Sequence, residues 1–204
     1  MSLYLTESNI SERLHLAFQP GVITSSEDSA TLSAEREFIR AAVLVPLCWN
    51  ANEWHLILTH RTNEVEHHKG QVSFPGGGCA GEAESVEQTA LREAWEEIGL
   101  LPDDVRLLGR LNEMITVTGF RVTPVVGVIP WSYDFHLSTI EVERVFSIPL
   151  TWLAQSNNWV EYNFTPDGTQ HPFRVISYHP YGNETLWGVS ARITQELVKL
   201  LGLI

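Results

Sequence analysis

Residues 74–100 read FPGGGCAGEAESVEQTALREAWEEIGL, a glycine-rich segment followed at once by a stretch with helical periodicity and many glutamates. The pattern predicts a helix over 83–98, ended by Gly99 as its C-cap and by Pro102 beyond it. Because successive residues of a helix are about 100° apart, one arc of it carries three carboxylates: Glu93, Glu96 and Glu97. The opposite arc carries apolar side chains that are expected to face the core: Leu91, Trp95 and Ile98.

A row of glutamates on a helix is usually a solvated acidic face, but that explanation fits this helix poorly. Glu93 and Glu97 are like charges four residues apart, a spacing that destabilises a helix by roughly 0.2–0.5 kcal/mol. Arg92 can pair with Glu96 but cannot neutralise all three carboxylates. Because magnesium and manganese take hard oxygen ligands, a divalent cation would convert the repulsion into coordination. The sequence therefore predicts a site for such a cation.

The glycines that precede the helix have two compatible functions. Gly76, Gly77 and Gly78 follow Pro75, so they are predicted to form a tight turn between a strand and the helix. Such a turn also lets backbone carbonyls approach a metal ion and backbone amides approach a phosphate, beside a helix N-terminus that favours negative charge. The segment alone does not separate the two functions.

The spacing of the whole segment carries a family resemblance. Five residues separate Gly78 from Glu84, seven separate Glu84 from Arg92, and the chain then continues Glu-Ala-Trp-Glu-Glu-Ile-Gly-Leu to Leu100. This pattern resembles a complete Nudix box, with small Ala94 where a bulkier apolar residue is common. The resemblance implies the Nudix fold, an α/β (α+β) structure built as an αβα sandwich with a mixed β-sheet. It also implies hydrolysis of a nucleoside diphosphate linked to another moiety.

Roles for individual residues follow from this resemblance by position. The implied ligands of Mg²⁺ or Mn²⁺ are foremost Glu93 and Glu97, then Glu96 and the carbonyl of Gly77 or Gly78. The other fixed positions are expected to organise the loop and the helix: Gly78, Glu84, Arg92 and Gly99.

The hydrolysis also needs a general base for the attacking water, whose pKa a bound metal ion would already lower. A box glutamate such as Glu93 is one candidate. A carboxylate on a downstream loop is the other, with Glu141 as the best positional match and Glu143 as the second choice. The alternative for both downstream residues is an exposed acidic turn, which is preferred for Glu143 and left open for Glu141.

The sequence before the box narrows the resemblance to one branch of the family. Residues 56–62 read LILTHRT and residues 68–77 read HKGQVSFPGG, and together they resemble the coenzyme A diphosphatase branch. Thr62 and Val65 replace the Ser and Leu that are usual there. This resemblance implies coenzyme A or one of its derivatives as the substrate, with 3′,5′-ADP and 4′-phosphopantetheine, or its acyl form, as the products.

Basic and polar side chains of this upstream segment are candidates for binding the substrate: Arg61, His68, Lys69 and Gln71. Coenzyme A carries a pyrophosphate and a 3′-phosphate, so cationic side chains are reasonable contacts. For His68, a structural hydrogen bond to the loop backbone is an equal alternative. His60 and His67 are expected to be surface residues.

Other functions remain open at this level. The box itself does not choose a leaving group, so ADP-ribose or a dinucleotide cofactor is the alternative substrate. A Nudix domain could also serve as a non-catalytic nucleotide sensor, and the intact trio of glutamates argues against that function. The resemblance leaves the oligomeric state open too, although homodimers are common in the superfamily.

The charge of the chain limits its partners. A net charge of −12 disfavours binding of long nucleic acids and of anionic membranes, so a small pyrophosphate is the expected partner. Because no signal-peptide pattern and no apolar run of membrane-spanning length occur, a cytoplasmic protein is expected. Cys48 and Cys79 lack metal or disulfide spacing.

A single domain of residues 41–204 is expected to follow an N-terminal helical extension, residues 1–40, that packs on it. The sequence from Asn9 to Glu12 fits a capping box at the start of a helix, and a second short helix is predicted over 34–39. The domain is predicted to contain strands 41–48 and 54–59 as a hairpin, helix 83–98, strands 105–111, 122–129 and 145–149, a helical turn 150–154, strand 173–178 and helix 189–200.

Overall fold

Ten β-strands, four α-helices and two short 3-10 helices (Pro102–Asp104 and Ser156–Asn158) make up the regular structure of the part of the chain that a computed structural model describes, residues 5–24, 37–62, 70–165 and 173–204. The helices are α1 (Glu7–Ala17), α2 (Val86–Ile98), α3 (Leu150–Leu153) and α4 (Gly188–Leu200). The strands are β1 (Ile39–Asn50), β2 (Glu53–Arg61), β3 (Val72–Ser73), β4 (Gly76–Gly78), β5 (Arg106–Arg110), β6 (Met114–Ile115), β7 (Phe120–Val128), β8 (Val142–Pro149), β9 (Trp159–Phe164) and β10 (Phe173–Tyr178). No helix within these ranges is long and apolar enough to cross a membrane.

Strands β1 and β2 form the predicted hairpin. They pair antiparallel with Asn50 opposite Glu53, which leaves a two-residue loop between them. Ala51 and Asn52 have φ of 48° and 67°, the left-handed conformation that a two-residue type I′ turn requires at both positions. The hairpin places β2 beside β1 in the sheet, where β2 also pairs with β3 and β8.

Eight of the strands form one mixed sheet, in which β1 and β7 are parallel neighbours. The order across the sheet is β3-β2-β1-β7-β5, with β4 paired to β1, β6 to β7 and β8 to β2. Strands β9 and β10 form a separate antiparallel hairpin. The downstream strands and helices predicted from the sequence are confirmed, whereas the short strands and β9 were not predicted.

Helices cover both faces of this sheet. Successive side chains of a strand point to opposite faces, so Leu44 of β1 packs with Ala90 and Ala94 of α2. Val45 points the other way, into a second apolar cluster that includes Leu14 of α1 and residues of α3 and α4. The expected αβα sandwich with a mixed sheet is confirmed.

The orientation of α2 differs from the prediction. Trp95 is 53% exposed instead of buried, and Glu97 is only 2% exposed. A row of mostly small apolar side chains, four residues apart, faces the sheet: Val86, Ala90, Ala94 and Ile98. The angular range of that row includes Glu97 and excludes Trp95. The expectation that Trp95 belongs to the core is therefore wrong, and a carboxylate lies at the helix–sheet interface.

The ends of α2 are set by two specific caps. The helix begins at Val86, three residues later than predicted, because Ser85 and Gln88 form a reciprocal capping box. Gly99 ends it in the left-handed conformation with φ of 67°, so the predicted C-cap is confirmed.

The N-terminal region departs from its predicted boundaries. Thr6 is the N-cap of α1 and its side chain accepts a hydrogen bond from the amide of Asn9, so the helix begins before the predicted capping box. Of the short helix predicted over 34–39, residues 34–36 lie outside the described residues, and Ile39 begins β1.

The glycine triplet forms a strand, so the prediction of a tight turn at these positions is wrong. Strand β4 pairs antiparallel with β1 through Ala42 opposite Gly77 and Val43 opposite Gly76. A Cβ atom on Gly76 would lie 2.5 Å from the carbonyl oxygen of Ala42, a distance that real Cβ contacts do not reach. Gly76 is therefore needed for the close approach of β4 to β1, and the connection to α2 is made after the triplet.

Candidate active site

The three box glutamates differ in their environments. The side chain of Glu97 is buried beneath α2, that of Glu93 is largely buried beside β4, and that of Glu96 is 47% exposed. Glu93 and Glu97 are on the part of α2 nearest the sheet, one turn apart, while Glu96 is on the solvent side. The three predicted carboxylates thus differ in exposure, which increases from Glu97 through Glu93 to Glu96.

Arg92 connects the loop before α2 with the glutamates on the helix. Its Nε donates to Glu84 Oε1 at 2.8 Å, and its Nη1 donates to Glu93 Oε1 at 2.8 Å and to Glu96 Oε2 at 2.9 Å. Its Nη2 donates to the Gly78 carbonyl at 3.1 Å. The hydrogen bonds from Arg92 and then from the Ala80 amide lower the pKa of Glu84 to about 2. Glu84 and Arg92 thus lie where an organising pair is expected.

Arg61 forms the second cation–carboxylate contact of the site. Its Nη1 lies 3.0 Å from Glu97 Oε1, while Glu97 Oε2 and Arg61 Nε are both buried without a hydrogen-bond partner. Burial raises the pKa of Glu97 to about 7, although Arg61 opposes the shift, and the charges of Glu141 and Glu93 add to it. A buried, half-satisfied carboxylate typically costs about 1–3 kcal/mol, so its retention here points to a ligand.

The backbone of Gly77 lies directly against the carboxylate of Glu93. A Cβ atom on Gly77 would be 2.5 Å from Glu93 Cδ and from Glu93 Oε1. Burial raises the pKa of Glu93, with Arg92 opposing that shift and Glu96 and Glu141 adding to it. Because residue 77 has no side chain, the Glu93 carboxylate can lie directly against the backbone of β4.

This close approach gives a direct test. Gly77→Ala should displace the Glu93 carboxylate and lower kcat by about 100-fold, the loss that a 1 Å misplacement can cause. Gly78→Ala is the matched variant, because a Cβ there would have its nearest neighbour at 4.0 Å, and its loss should be much smaller. Equal losses in steady-state assays of the two folded variants would show that Gly77 has no special role.

The two downstream carboxylates lie in different places. The charge of Glu141 contributes to the raised pKa of both Glu93 and Glu97, so its carboxylate lies near the box glutamates. The Glu143 carboxylate is 53% exposed and lies 3.7 Å from His60 Nε2. Of the two downstream candidates for the general base, the structure brings only Glu141 near the box glutamates; Glu93 remains the candidate within the box.

The loop before Glu141 is held on the C-terminal end of α2. The amides of His136 and Ser138 donate to the carbonyls of Ile98 and Glu97 at 3.0 Å and 2.9 Å. These bonds occupy carbonyl groups that have no partner within the helix. The loop therefore moves with the helix that carries the glutamates.

The substrate-binding candidates are only partly described. The amide of Arg61 donates to the carbonyl of Gln71 at 3.0 Å, so Gln71 lies beside the end of β2. His68 and Lys69 lie outside the described residues. Arg61 was predicted to contact a phosphate; its ion pair with Glu97 was not predicted, because residues 36 positions apart give no local signal of contact.

The donor set suits a hard divalent cation. Among the described residues no group of three or more His, Cys, Asp or Glu side chains forms a ready-made metal site. The unpartnered Glu97 Oε2, the Glu93 carboxylate, the adjacent Gly77 backbone and nearby Glu141 nevertheless supply oxygen ligands of the kind that Mg²⁺ and Mn²⁺ take. Arg61 and Arg92 now neutralise the two most buried carboxylates.

Comparison with known proteins identifies the family. A family profile of the NUDIX domain matches residues 38–169. The chain belongs to the Nudix family. It is 37% identical to a Citrobacter koseri protein named "Uncharacterized Nudix hydrolase NudL" over 163 residues, covering 80% of this chain and 83% of that protein. A protein of the same name from Cronobacter sakazakii is 38% identical, with the same coverage.

The solved structures agree on the fold of this Nudix hydrolase. A MutT/nudix family protein from Enterococcus faecalis superposes with a TM-score of 0.50 at 14% identity, covering 98% of this chain and 81% of that one. At this identity the match concerns the fold alone. Together the family assignment and the intact box indicate an enzyme that hydrolyses a nucleoside diphosphate derivative, and Nudix hydrolases generally use divalent cations.

Proposed function

We propose that this Nudix hydrolase cleaves the pyrophosphate of coenzyme A or a derivative, releasing 3′,5′-ADP and 4′-phosphopantetheine or its acyl form. The observation that carries the proposal is the sequence of residues 56–62 and 68–77, which resembles the coenzyme A diphosphatase branch. The contact between Arg61 and Glu97 supports it, because it joins that upstream segment to the box. A cationic segment beside an acidic centre suits a substrate with several phosphates.

In the proposed mechanism the chain holds a divalent cation with Glu93 and Glu97, assisted by Glu96 and the Gly77 carbonyl. The cation, Mg²⁺ or Mn²⁺, would offset the phosphate charge and increase the acidity of the attacking water. Glu141 would accept a proton from that water, because its carboxylate lies near the box glutamates on a loop that is hydrogen-bonded to α2. Arg61 keeps Glu97 oriented through their ion pair, and in this proposal its guanidinium also contacts a phosphate of the substrate.

The domain boundary and the assembly are also part of the proposal. We place the catalytic domain at residues 41–204, with residues 1–40 as an extension. The burial of Ile10 and Leu14 of α1 in the cluster that contains α4 supports an extension packed on the domain. A cytoplasmic location and a homodimer remain proposals of the same kind.

Product analysis tests the substrate. The purified chain is incubated with coenzyme A, dephospho-coenzyme A, ADP-ribose and dinucleotides in the presence of Mg²⁺ or Mn²⁺, and the products are identified by mass spectrometry. We expect coenzyme A to give 3′,5′-ADP and 4′-phosphopantetheine. Efficient cleavage of ADP-ribose with no cleavage of coenzyme A would reject this substrate and keep the family function. No cleavage of any pyrophosphate would favour a nucleotide-sensing function.

Dephospho-coenzyme A, which lacks the 3′-phosphate, shows which phosphate each basic side chain binds. Because Arg61 contacts Glu97, Arg61→Ala should lower kcat/KM for coenzyme A and for the dephospho form alike. If Lys69 binds the 3′-phosphate, Lys69→Ala should affect coenzyme A alone. Each lost charge-assisted contact is worth about 1.5–3 kcal/mol, or roughly 10- to 150-fold. Equal losses for both substrates in Lys69→Ala would place that side chain at the pyrophosphate instead.

Substitutions of two glutamates that are close in sequence, Glu141 and Glu143, test which group is the general base. Glu141→Gln should lower kcat on the order of 100-fold or more, the usual contribution of general base catalysis. Glu143→Gln should stay far closer to the wild-type rate, because Glu143 lies beside His60. A wild-type rate in Glu141→Gln would transfer the role of general base to a box glutamate.

A further inference from the structure

An ionic network around one buried carboxylate, that of Glu184, lies on the face of the sheet opposite the box glutamates. His60 precedes Arg61 in β2, so the two side chains point to opposite faces. His60 Nδ1 lies 2.7 Å from Glu184 Oε2, and Arg144 pairs with Oε1 of the same buried carboxylate. His60 Nε2 also approaches Glu143. The expectation that His60 is a surface residue is therefore wrong, and Glu184 belongs to none of the motifs in the sequence.

The strands that carry this network contain a β-bulge. Strands β2 and β8 pair His60 with Arg144 and Arg61 with Val142, so Glu143 has no residue opposite it. In an unbroken strand Val142 and Arg144 would face the same side. Here Val142 packs in the cluster beneath α2, while Arg144 reaches the buried carboxylate on the other face. Beyond the bulge, the side chains of β8 therefore point to the opposite faces of the sheet from those that an unbroken strand would give. Bulges near active sites commonly redirect side chains in this way.

Two site residues depend on the geometry of this bulge. Arg61 is the first residue of β2 after the register shift, and its side chain reaches Glu97 at 3.0 Å. The next residue, Thr62, donates its amide to the Glu141 carbonyl at 2.9 Å and its hydroxyl to the Ile140 carbonyl. A slip of one residue at the bulge would turn Arg61 away from Glu97 and move Glu141.

We propose that Glu184 and His60 form a positioning pair that holds this bulge in register and thereby aims Arg61 and Glu141 at the reaction centre. The part that concerns Glu141 rests on the proposed function. Buried ion pairs contribute little net stability, because desolvation offsets their attraction, and their best-attested use is to specify a register. Glu184 bonds to His60 of β2 and to Arg144 of β8. These two residues lie opposite each other, directly beside the bulge.

Neutralising the buried carboxylate is the first test. Glu184→Gln should lower kcat by about 10- to 100-fold, as small misplacements of reacting groups do, with KM changed by less than about 3-fold. The matched control is Glu161→Gln, which removes a surface ion pair with Arg174 on the β9–β10 hairpin and should leave kcat unchanged. Wild-type kcat in a folded Glu184→Gln protein would overturn the proposal. All rates are measured with the pyrophosphate that the wild type cleaves fastest, so the test does not depend on coenzyme A.

His60 gives a second test that remains decisive if Glu184→Gln does not fold. The side-chain amide of Asn can occupy the place of imidazole Nδ1, so His60→Asn keeps a donor for Glu184 Oε2. We expect His60→Asn to stay within about 3-fold of the wild-type kcat and His60→Ala to lose about 10- to 100-fold. Equal rates in the two variants would overturn the pair as a positioning device.

A double-mutant cycle separates positioning from a loss of stability. Because the pair acts in part through Glu141, adding Glu184→Gln to Glu141→Gln should lower kcat by a smaller factor than Glu184→Gln does in the wild type, since one of the two groups that it positions is already disabled. Losses that multiply, together with a melting temperature that falls in proportion, would contradict the proposal. A wild-type rate for Glu141→Gln alone would reject Glu141 as the base. The kcat values of Glu184→Gln and of the His60 variants would then decide by themselves whether Glu184 and His60 act as a positioning pair.

Discussion

Replacing Glu97 with glutamine should lower kcat by about 10³-fold or more while the protein stays folded. Glu97 is the most buried carboxylate of the site, one of its oxygens has no protein partner, and the other contacts Arg61. Glutamine keeps the shape and still offers an oxygen to Arg61, but its neutral amide is a poor ligand for a hard cation. The loss should appear in kcat and in kcat/KM alike, because the interaction serves the reaction and not substrate binding alone.

The same substitution has a predictable effect on stability in chelator. Burial raises the pKa of Glu97 from its ordinary value of 4.5 to about 7 in the folded protein, so the folded state holds this proton more tightly than the unfolded chain does. Stability therefore falls as pH rises from about 4.5 to 7 in the wild type. Glu97→Gln removes that penalty, and its melting temperature at pH 8 should equal or exceed that of the wild type.

Two controls make the Glu97 result interpretable. Glu12→Gln removes an exposed carboxylate of α1 and should leave kcat unchanged, which excludes a general effect of net charge. Glu96→Gln removes a half-exposed box carboxylate and should give an intermediate loss. A Glu97→Gln protein that keeps near-wild-type turnover, measured under single-turnover conditions, would move the metal site elsewhere.

Most of the fold could be predicted from local sequence patterns. The β1–β2 hairpin follows from two apolar strands around Asn50-Ala51-Asn52, and the end of α2 follows from Gly99, because only a few residue types suit a left-handed C-cap. The face of α2 could not be predicted in the same way. Which arc of the helix meets the sheet depends on where the small residues Ala90 and Ala94 allow close packing, and that decides the exposure of Trp95.

The site was predictable where its residues are close in sequence. The glutamates and Arg92 stand at fixed helical spacing, so their proximity follows from the helix itself. The contacts of Arg61 with Glu97 and of His60 with Glu184 join residues 36 and 124 positions apart. They depend on strand register and on a bulge in β8, which leave no local pattern in the sequence.

Removing divalent cations should abolish hydrolysis, and adding Mg²⁺ or Mn²⁺ should restore it. Without a cation, the carboxylates of Glu93, Glu97 and Glu141 lie close enough for their charges to raise the pKa of Glu93 and Glu97, and together they would repel a pyrophosphate. Arg61 and Arg92 each have a carboxylate partner already, so they cannot replace the charge of a divalent ion. We expect the rate in excess EDTA to fall to the detection limit, and full activity there would contradict metal dependence.

Cation binding itself should depend on pH in a defined direction. Because the pKa of Glu97 is raised to about 7, a cation must compete with a proton at this carboxylate below neutral pH. The Kd for Mn²⁺, measured by isothermal titration calorimetry on the wild type, should therefore be several-fold lower at pH 8 than at pH 6, with proton release visible as a buffer-dependent enthalpy at pH 6. The Glu97→Gln protein should bind Mn²⁺ more weakly at both values and lose most of this pH dependence. Unchanged affinity and proton release in that variant would show that the cation binds away from Glu97, even if the enzyme requires it.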